Sequence, residues 1–299
     1  MTTPPSESAF PVSRRTFLKT TACAAAAACA APAVGADPPA RWEMRLSTSS
    51  IHYLHLPVGQ ACEQIAKLGF PAVDVWSGHA GCPHLDDVLN NLGPDGLQKI
   101  LDDTKLKLFS FSVYRGGFPR YAELLGAMGG GVAIQGSAAP CKPEELTGRM
   151  KQFMEQIKPQ VELAEKHNCK LAVENHGHAL LDSVDSFKAF CDLNTSPHLG
   201  IALAPYHVQG IGGSVPEVIE TCGDQLFYFY AWQRAGGTEQ LPGIGPIDFV
   251  PWLAALAKVN YAGYVNPFMH GELSTEAMDA ALARSKAYLE ECYAKAVAS

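Results

Sequence analysis

Eight short runs rich in β-branched and aromatic residues punctuate the chain, at 45–50, 72–76, 107–114, 131–135, 170–175, 199–204, 225–232 and 263–268. Between them, apolar residues return every three or four positions. The clearest case is Met150, Phe153, Met154, Ile157, Val161 and Ala164, whose spacing predicts a helix with one buried face. Pro159 within it should kink or divide that helix. Further helices are predicted at 58–68, 97–103, 184–192, 215–222, 249–258 and 275–294. Strand then helix, eight times over about 255 residues, is the arithmetic of an α/β chain folded as a single (β/α)8 TIM barrel.

An open doubly wound sheet is the competing α/β architecture, and it announces itself with a glycine-rich phosphate turn after an early strand. Here the first strand runs into Ser50-Ile51-His52-Tyr53, and Gly129-Gly130-Gly131 precedes a strand instead of opening a helix. The triple glycine reads as a helix stop and loop.

The first 36 residues follow another pattern. Arg14 and Arg15 form a pair, Phe17, Leu18 and Lys19 follow, an alanine-rich run extends from Ala22 to Ala31, and Ala33-Val34-Gly35-Ala36 is a small-residue cleavage site. This order resembles a twin-arginine export signal, which implies the twin-arginine export machinery as a partner and a periplasmic or otherwise exported mature protein. An alanine-rich tail with a chance arginine pair, an uncleaved anchor, and acylation at Cys23 or Cys29 are the alternatives. The run is too short and alanine-rich for a good membrane span, which wants about 20 strongly apolar residues. Cleavage would divide the chain into a signal at 1–36 and a barrel at 37–299.

Composition narrows the partners. The 299 residues are 47% hydrophobic, enough for an ordinary core. Lys and Arg number 23 against 30 Asp and Glu, a formal charge of -7, which leaves no basic surplus for nucleic acid. Removing residues 1–36 takes away Glu7, Arg14, Arg15 and Lys19 and brings the charge to -9. Seven cysteines remain, at 62, 82, 141, 169, 191, 222 and 292. Without a C-x-x-C pair or regular spacing they read as buried thiols.

In a barrel of this kind, chemistry sits on the loops after the strands. His52, His79, His176, His178, His207 and His270 all fall at or just beyond the predicted strand ends, whereas His167 and His198 lie at the opposite end. The most informative stretch is Leu171-Ala172-Val173-Glu174-Asn175-His176. Alternation puts Ala172, Glu174 and His176 on one face. A carboxylate at the mouth of an apolar strand is costly unless it is paired or liganded, so Glu174 is a salt-bridged structural residue, a metal ligand or a proton-transfer base.

With these residues in place, the chain resembles the xylose-isomerase-like barrels, which include sugar phosphate isomerases, ketose 3-epimerases and apurinic endonucleases. The resemblance rests on LGFPAVDVW at 68–76, KLAVENH at 170–176, APYH at 204–207 and GYVNPF at 263–268. It implies a divalent metal held by a Glu on the fifth strand, an Asp opening a D-x-x-H step on the sixth, a His on the seventh and a Glu before Pro-Phe on the eighth. Glu174 matches the first of these, and His207 keeps the end of the D-x-x-H step. Ala204, Tyr230 and Asn266 stand where the Asp, His and second Glu would be.

These departures decide what the resemblance can carry. The family's epimerases use two carboxylates on opposite faces of the sugar, and a neutral Asn266 interrupts that exchange. A rearranged set of Glu174, His176, His207 and His270 offers oxygen and imidazole donors suited to zinc, manganese, magnesium or iron, and the alternative is no metal at all. A one-base reaction is the other repair, with Glu174 and His207 as the catalytic pair. His52, Arg115, Gln135, Tyr230, Trp232, Gln233, Arg234 and Asn266 are the candidate sugar contacts.

Three functions follow as expectations. The first is an exported isomerase or epimerase that abstracts a proton next to the carbonyl of a non-phosphorylated carbohydrate. The second is a lyase or hydratase acting on a keto-sugar, and the third is a carbohydrate-binding barrel without catalysis. The acidic charge and the missing phosphate loop argue against phosphorylated substrates.

Overall fold

The computed structural model describes residues 42–298, so the signal segment and its cleavage site lie outside the described residues. Eight strands form one parallel sheet in chain order: β1 Ser47–Ser49, β2 Ala72–Ser77, β3 Lys107–Val113, β4 Val132–Gly136, β5 Lys170–Glu174, β6 Leu199–Leu203, β7 Leu226–Ala231 and β8 Val265–Pro267. A parallel bridge from Leu46 to Val265 brings the first strand against the last. The expected (β/α)8 barrel is therefore the fold observed.

Each strand is followed by a helix that carries the chain back: Val58–Lys67, Gly93–Thr104, Phe118–Ala127, Leu146–Lys166, Val184–Leu193, Val215–Cys222, Val250–Lys258 and Thr275–Ala296. Three of them begin on a serine whose hydroxyl accepts a backbone N–H of the first turn, Ser183 from Ser186, Ser214 from Glu217 and Ser274 from Ala277. Pro159 does not divide Leu146–Lys166. Pro159 and Glu155, whose carbonyl the proline leaves unpaired, both lie on the exposed face, where water replaces the lost bond. The helix Phe118–Ala127, which the sequence reading leaves unassigned, buries Phe118, Tyr121, Ala122, Leu124 and Leu125.

Strand alternation sorts the buried residues into two layers. On β2, Val73 and Val75 pack outward under the helices, while Ala72 and Trp76 point into the barrel, with Asp74 between them on the same inner face. On β5 the inward set is Ala172 and Glu174, and on β7 it is Tyr228 and Tyr230. Register aligns Ser49 with Asp74 and Asp74 with Ser110, so polar side chains of three neighbouring strands meet at one level of the interior.

Gly129, Gly130 and Gly131 end Phe118–Ala127 with φ of 90°, 93° and 147°, as the helix-stop reading requires. All seven cysteines among the described residues are free, and five of them are buried.

Candidate active site at the C-terminal mouth of the barrel

Glu174 ends β5 with its carboxyl turned inward and only 8% of the residue exposed. Tyr114, at the exit of β3, donates its hydroxyl to Glu174 past the intervening β4, and that hydroxyl lies 3.3 Å from the hydroxyl of Tyr230. Burial raises the Glu174 carboxyl to about 7, the charge of Asp74 adds to the rise, and the Tyr114 bond opposes it. The result is a carboxyl that exchanges its proton near neutrality.

Four imidazoles surround it. His176 and His207 pack with ring centroids 4.0 Å apart and planes tilted by 41°, and His79 and His270 pack at 4.2 Å with a tilt of 37°. Burial first, and the neighbouring imidazoles next, lower His207 to about 3 and His270 to about 4, while burial also lowers His79. His79, His207 and His270 are therefore neutral at physiological pH. Nε2 of His207 is buried without a hydrogen-bond partner. Glu174, His176, His207, His270, His79, Trp76 and Tyr114 line one cavity of about 190 Å³. Its walls are aromatic: Trp76 stacks on Phe268 at 5.2 Å, and Tyr206 stacks on Trp232 at 4.4 Å. A larger cavity of about 280 Å³ lies at the opposite end, among Phe109, Lys170, Phe227 and Tyr261. There the Lys170 ammonium sits 4.5 Å over the Phe227 ring.

The expected residues divide sharply. Glu174, His176, His207 and His270 converge on the cavity, and Tyr230 reaches it through Tyr114. Of the other proposed sugar contacts, Trp232 stands in the aromatic wall and the rest are placed elsewhere. His52 is buried behind Phe268, with Nδ1 donating to Thr48 and Nε2 accepting from the Met269 N–H, so it braces the wall. Gln135 joins the Phe118 N–H to Gln160, and Gln233 ties Leu241 to Ile247. Arg115 is exposed, 3.8 Å from Asp86, and Arg234 lies over the Tyr206 ring. Trp232 presents its ring edge to His207 and His270 while its N–H is held by Gln240. Asn266 is fully buried and bonds to Ser49 and Tyr228.

Asp74, Trp76 and Tyr114 are functional candidates that the sequence reading passes over. Asp74 is fully buried beneath the cavity and accepts hydrogen bonds from Ser49, Ser110, Ser112, Trp76 and Tyr228. The signal was the one that marked Glu174: a lone carboxylate on the inner face of an apolar strand.

The implied metal fails the test of its donors. Ala204 has no donor side chain, and its backbone is clasped by Asn175, whose Oδ1 accepts the N–H at 2.7 Å. The Asn266 amide and the Tyr230 hydroxyl are committed to Ser49, Tyr228 and Tyr114. In the rearranged set, His176 packs on His207 with centroids 4.0 Å apart and has its Nδ1 2.8 Å from the Gly177 carbonyl oxygen, while His270 packs on His79. Among the described residues, no group of three or more His, Cys, Asp or Glu is arranged to hold a metal ion. The residues present do not fit the family's metal.

A parallel barrel whose strand ends gather a buried carboxyl, neutral imidazoles and stacked rings has the architecture of a small-molecule site. Its sequence is more specific: residues 62–291 match the profile of the xylose isomerase-like TIM barrel, and the chain belongs to that family. Among solved structures it is similar to 3-keto-D-glucoside 4-epimerase of E. coli, with a TM-score of 0.66, 16% identity, and coverage of 82% of this chain and 100% of that one. It is likewise similar to D-psicose 3-epimerase of Clostridium cellulolyticum H10, at TM-score 0.65 and 15% identity over 84% and 99% of the two chains. The IolI protein with a bound zinc atom gives TM-score 0.65 and 16% identity over 84% and 99%. At these identities the likeness is one of fold. No curated protein matches the chain in sequence.

Proposed function

We propose that the protein is a sugar isomerase or epimerase for a non-phosphorylated carbohydrate, with Glu174 as the base that removes a proton next to the carbonyl. The observation that carries this reading is Glu174 itself: a buried carboxyl raised to about 7, bonded to Tyr114 and lining an aromatic-walled cavity. A base titrating near the working pH is half ionised there and holds the proton it takes. The C–H electron pair moves into the carbonyl to give an enediolate, and the proton rests on Glu174. Neutral His207 is the group placed to bond the developing oxyanion, since a neutral imidazole can serve as such an electrophile, while the Tyr114 hydroxyl is held by Glu174. Return of the proton to the adjacent carbon, with the hydroxyl proton relayed through His207 to the former carbonyl oxygen, completes an isomerisation on one face, so a single carboxylate suffices. No step requires the metal that these residues do not fit.

Several features support a neutral sugar. No Lys or Arg lines the cavity, and Arg115 and Arg234 face outward. About 190 Å³ is below the roughly 300–1,000 Å³ of pockets for drug-sized ligands, which suits one sugar unit. The structural neighbours that act on a 3-keto-glucoside and on psicose support a carbohydrate. We further propose that the mature protein is exported by its twin-arginine signal.

A second reading has an observation of its own. Glu174 is the one carboxylate lining the cavity, and Asn266 lies below it. That composition equally serves a lyase, in which the same base removes the proton and a leaving group departs from the next carbon of a keto-glycoside. One experiment separates the readings: incubation in D2O with free sugars, glycosides and 3-ketosugars, followed by proton NMR. Deuterium uptake with the sugar intact supports isomerisation, and loss of the aglycone supports the lyase. Protection against melting without turnover supports a binding barrel. Full activity in Glu174→Gln would overturn the site assignment.

A further inference from the structure

Asp74 and Trp76 lie two residues apart on β2 and share its inner face, so the carboxylate sits one level below the indole. Trp76 forms the wall of the cavity, stacked on Phe268 at 5.2 Å and packed against Tyr114 at 5.0 Å. Its indole N–H, buried in the barrel, donates to Asp74 Oδ2. Its backbone N–H donates to Ser50 Oγ at 3.1 Å.

A buried indole needs an acceptor, yet a neutral hydroxyl or amide oxygen would serve. This chain places a fully buried carboxylate there, which is expensive unless its lone pairs are filled. They are filled: Ser49 and Ser110 donate at 2.9 Å, Ser112 at 3.0 and 3.1 Å to the two oxygens, and Tyr228 at 3.2 Å. Asn266 in turn donates to Ser49 and Tyr228, fixing the donors themselves. Four strands thus lock one anion, and its remaining contact is the wall of the site. No ion pair among the described residues involves Asp74, so the cage is not a charge pair in disguise.

We propose that Asp74 is a positioning residue for substrate: anchored by Ser49, Ser110, Ser112 and Tyr228, it fixes the Trp76 indole as the face on which the sugar ring stacks. It touches no substrate and transfers no proton. Its action is on binding, through Trp76, and this role rests on the carbohydrate reading above.

The test compares Asp74→Asn, Asp74→Leu, Trp76→Phe and the double variant Asp74→Leu/Trp76→Phe. Asp74→Leu is expected to raise KM, or Kd for a sugar that protects against melting, by roughly tenfold with kcat within about twofold. Asp74→Asn keeps an oxygen acceptor and is expected to restore most of the loss. In the double variant the effects should not add, because one acts through the other. An indole N–H resonance that vanishes in Trp76→Phe should be strongly downfield in the wild type and move upfield in Asp74→Leu. Should Asp74→Leu fail to fold, Ser110→Ala/Ser112→Ala, which weakens the anchor without removing it, should move the same resonance and raise KM several-fold. The proposal is overturned if the resonance and KM stay unchanged in these variants, if kcat falls while KM does not, or if the double variant is additive. If no carbohydrate binds at all, the functional reading fails while the resonance still reports whether Asp74 holds Trp76.

Discussion

Tyr114 and Glu174 meet past the strand that separates them: a hydroxyl from the exit of β3 donates to a carboxylate from the end of β5, although 60 residues separate them. The bond stabilises the ionised carboxylate, against burial, which favours the protonated one. Their balance leaves Glu174 at about 7.

Removing the hydroxyl tips that balance. Tyr114→Phe should raise the Glu174 pKa further, so the limb of the pH–rate profile that reports ionised Glu174 moves to higher pH. A rise of about one unit lowers the ionised fraction at pH 7 from about a half to about a tenth, or roughly fivefold in kcat/KM, with recovery above pH 8. The profile is measured on whichever sugar exchanges deuterium. A limb that stays put would separate Tyr114 from the acid–base step.

The barrel itself was legible from sequence because alternation and helical periodicity are local properties. Glu174 was legible for the same reason, and so were His176, His207 and His270, each falling just past a strand. The polar residues Gln135 and Gln233 satisfied the same positional rule, yet their amides are spent on loop backbone and a neighbouring amide. Position along the chain says which end of a barrel a residue occupies, not whether its hydrogen bonds are already taken. Asp74 shows the converse. Its cage comes from Ser49, Ser110, Ser112 and Tyr228, residues up to 154 positions away, which only closure of the barrel assembles.

Chelation should leave this protein intact, in contrast to barrels whose carboxylates hold a cation. Ala204 and Asn266 supply no ligand, and their surroundings are closed by Asn175, Ser49 and Tyr228. Dialysis against EDTA should therefore leave Tm and deuterium exchange unchanged, and added Zn2+ or Mn2+ should not raise Tm. A metal-dependent increase of several degrees would show that the histidine pairs rearrange around a cation.

Phe268 joins the two halves of the aromatic wall. It is 1% exposed and packs on Trp76, Tyr230, Trp232 and His270 with centroids between 4.9 and 5.3 Å. Phe268→Ala should cost about 3–5 kcal/mol in chemical denaturation. It should also weaken sugar binding, because Trp76 loses its stacking partner. Phe268→Leu, which refills much of the volume, should recover stability more than binding.

The glycine stop after Phe118–Ala127 separates conformational from steric demand. Gly129 and Gly130 both have φ near 90°, but a Cβ on Gly129 meets nothing, whereas one on Gly130 would overlap the carbonyl oxygen of Asn168. Gly129→Ala should cost about 1 kcal/mol from the backbone alone, and Gly130→Ala more, about 2–3 kcal/mol. Equal losses would mean that the loop relaxes freely around Asn168.

The pH dependence of stability follows from groups that pull in opposite directions. His52, His207 and His270 have folded values of about 3, 3 and 4 against 6.5, and burial lowers His79 and His84 in the same sense. Below 6.5 the unfolded chain takes up protons that these rings refuse, so their contribution is lost as pH falls from about 6.5 toward 4. Asp74 and Glu174 do the reverse. Raised to about 6 and about 7 by burial, they keep protons that an unfolded chain has released, and their contribution is lost as pH rises from the ordinary carboxylate range through 6 to 7. Asp182 shifts in the same direction. Between about pH 4.5 and 6 the imidazoles outnumber the carboxyls and stability should rise with pH. Between about pH 6.5 and 7.5 the protons still taken up by imidazoles of the unfolded chain and the proton held by folded Glu174 largely offset each other. Tm measured from pH 4 to 8 should therefore rise steeply to about pH 6.5 and flatten above it, and Glu174→Gln should let the rise continue to about pH 7.5 while leaving the acid side in place. A profile above about pH 6.5 that Glu174→Gln leaves unchanged would show that Glu174 is not the raised carboxyl of this site.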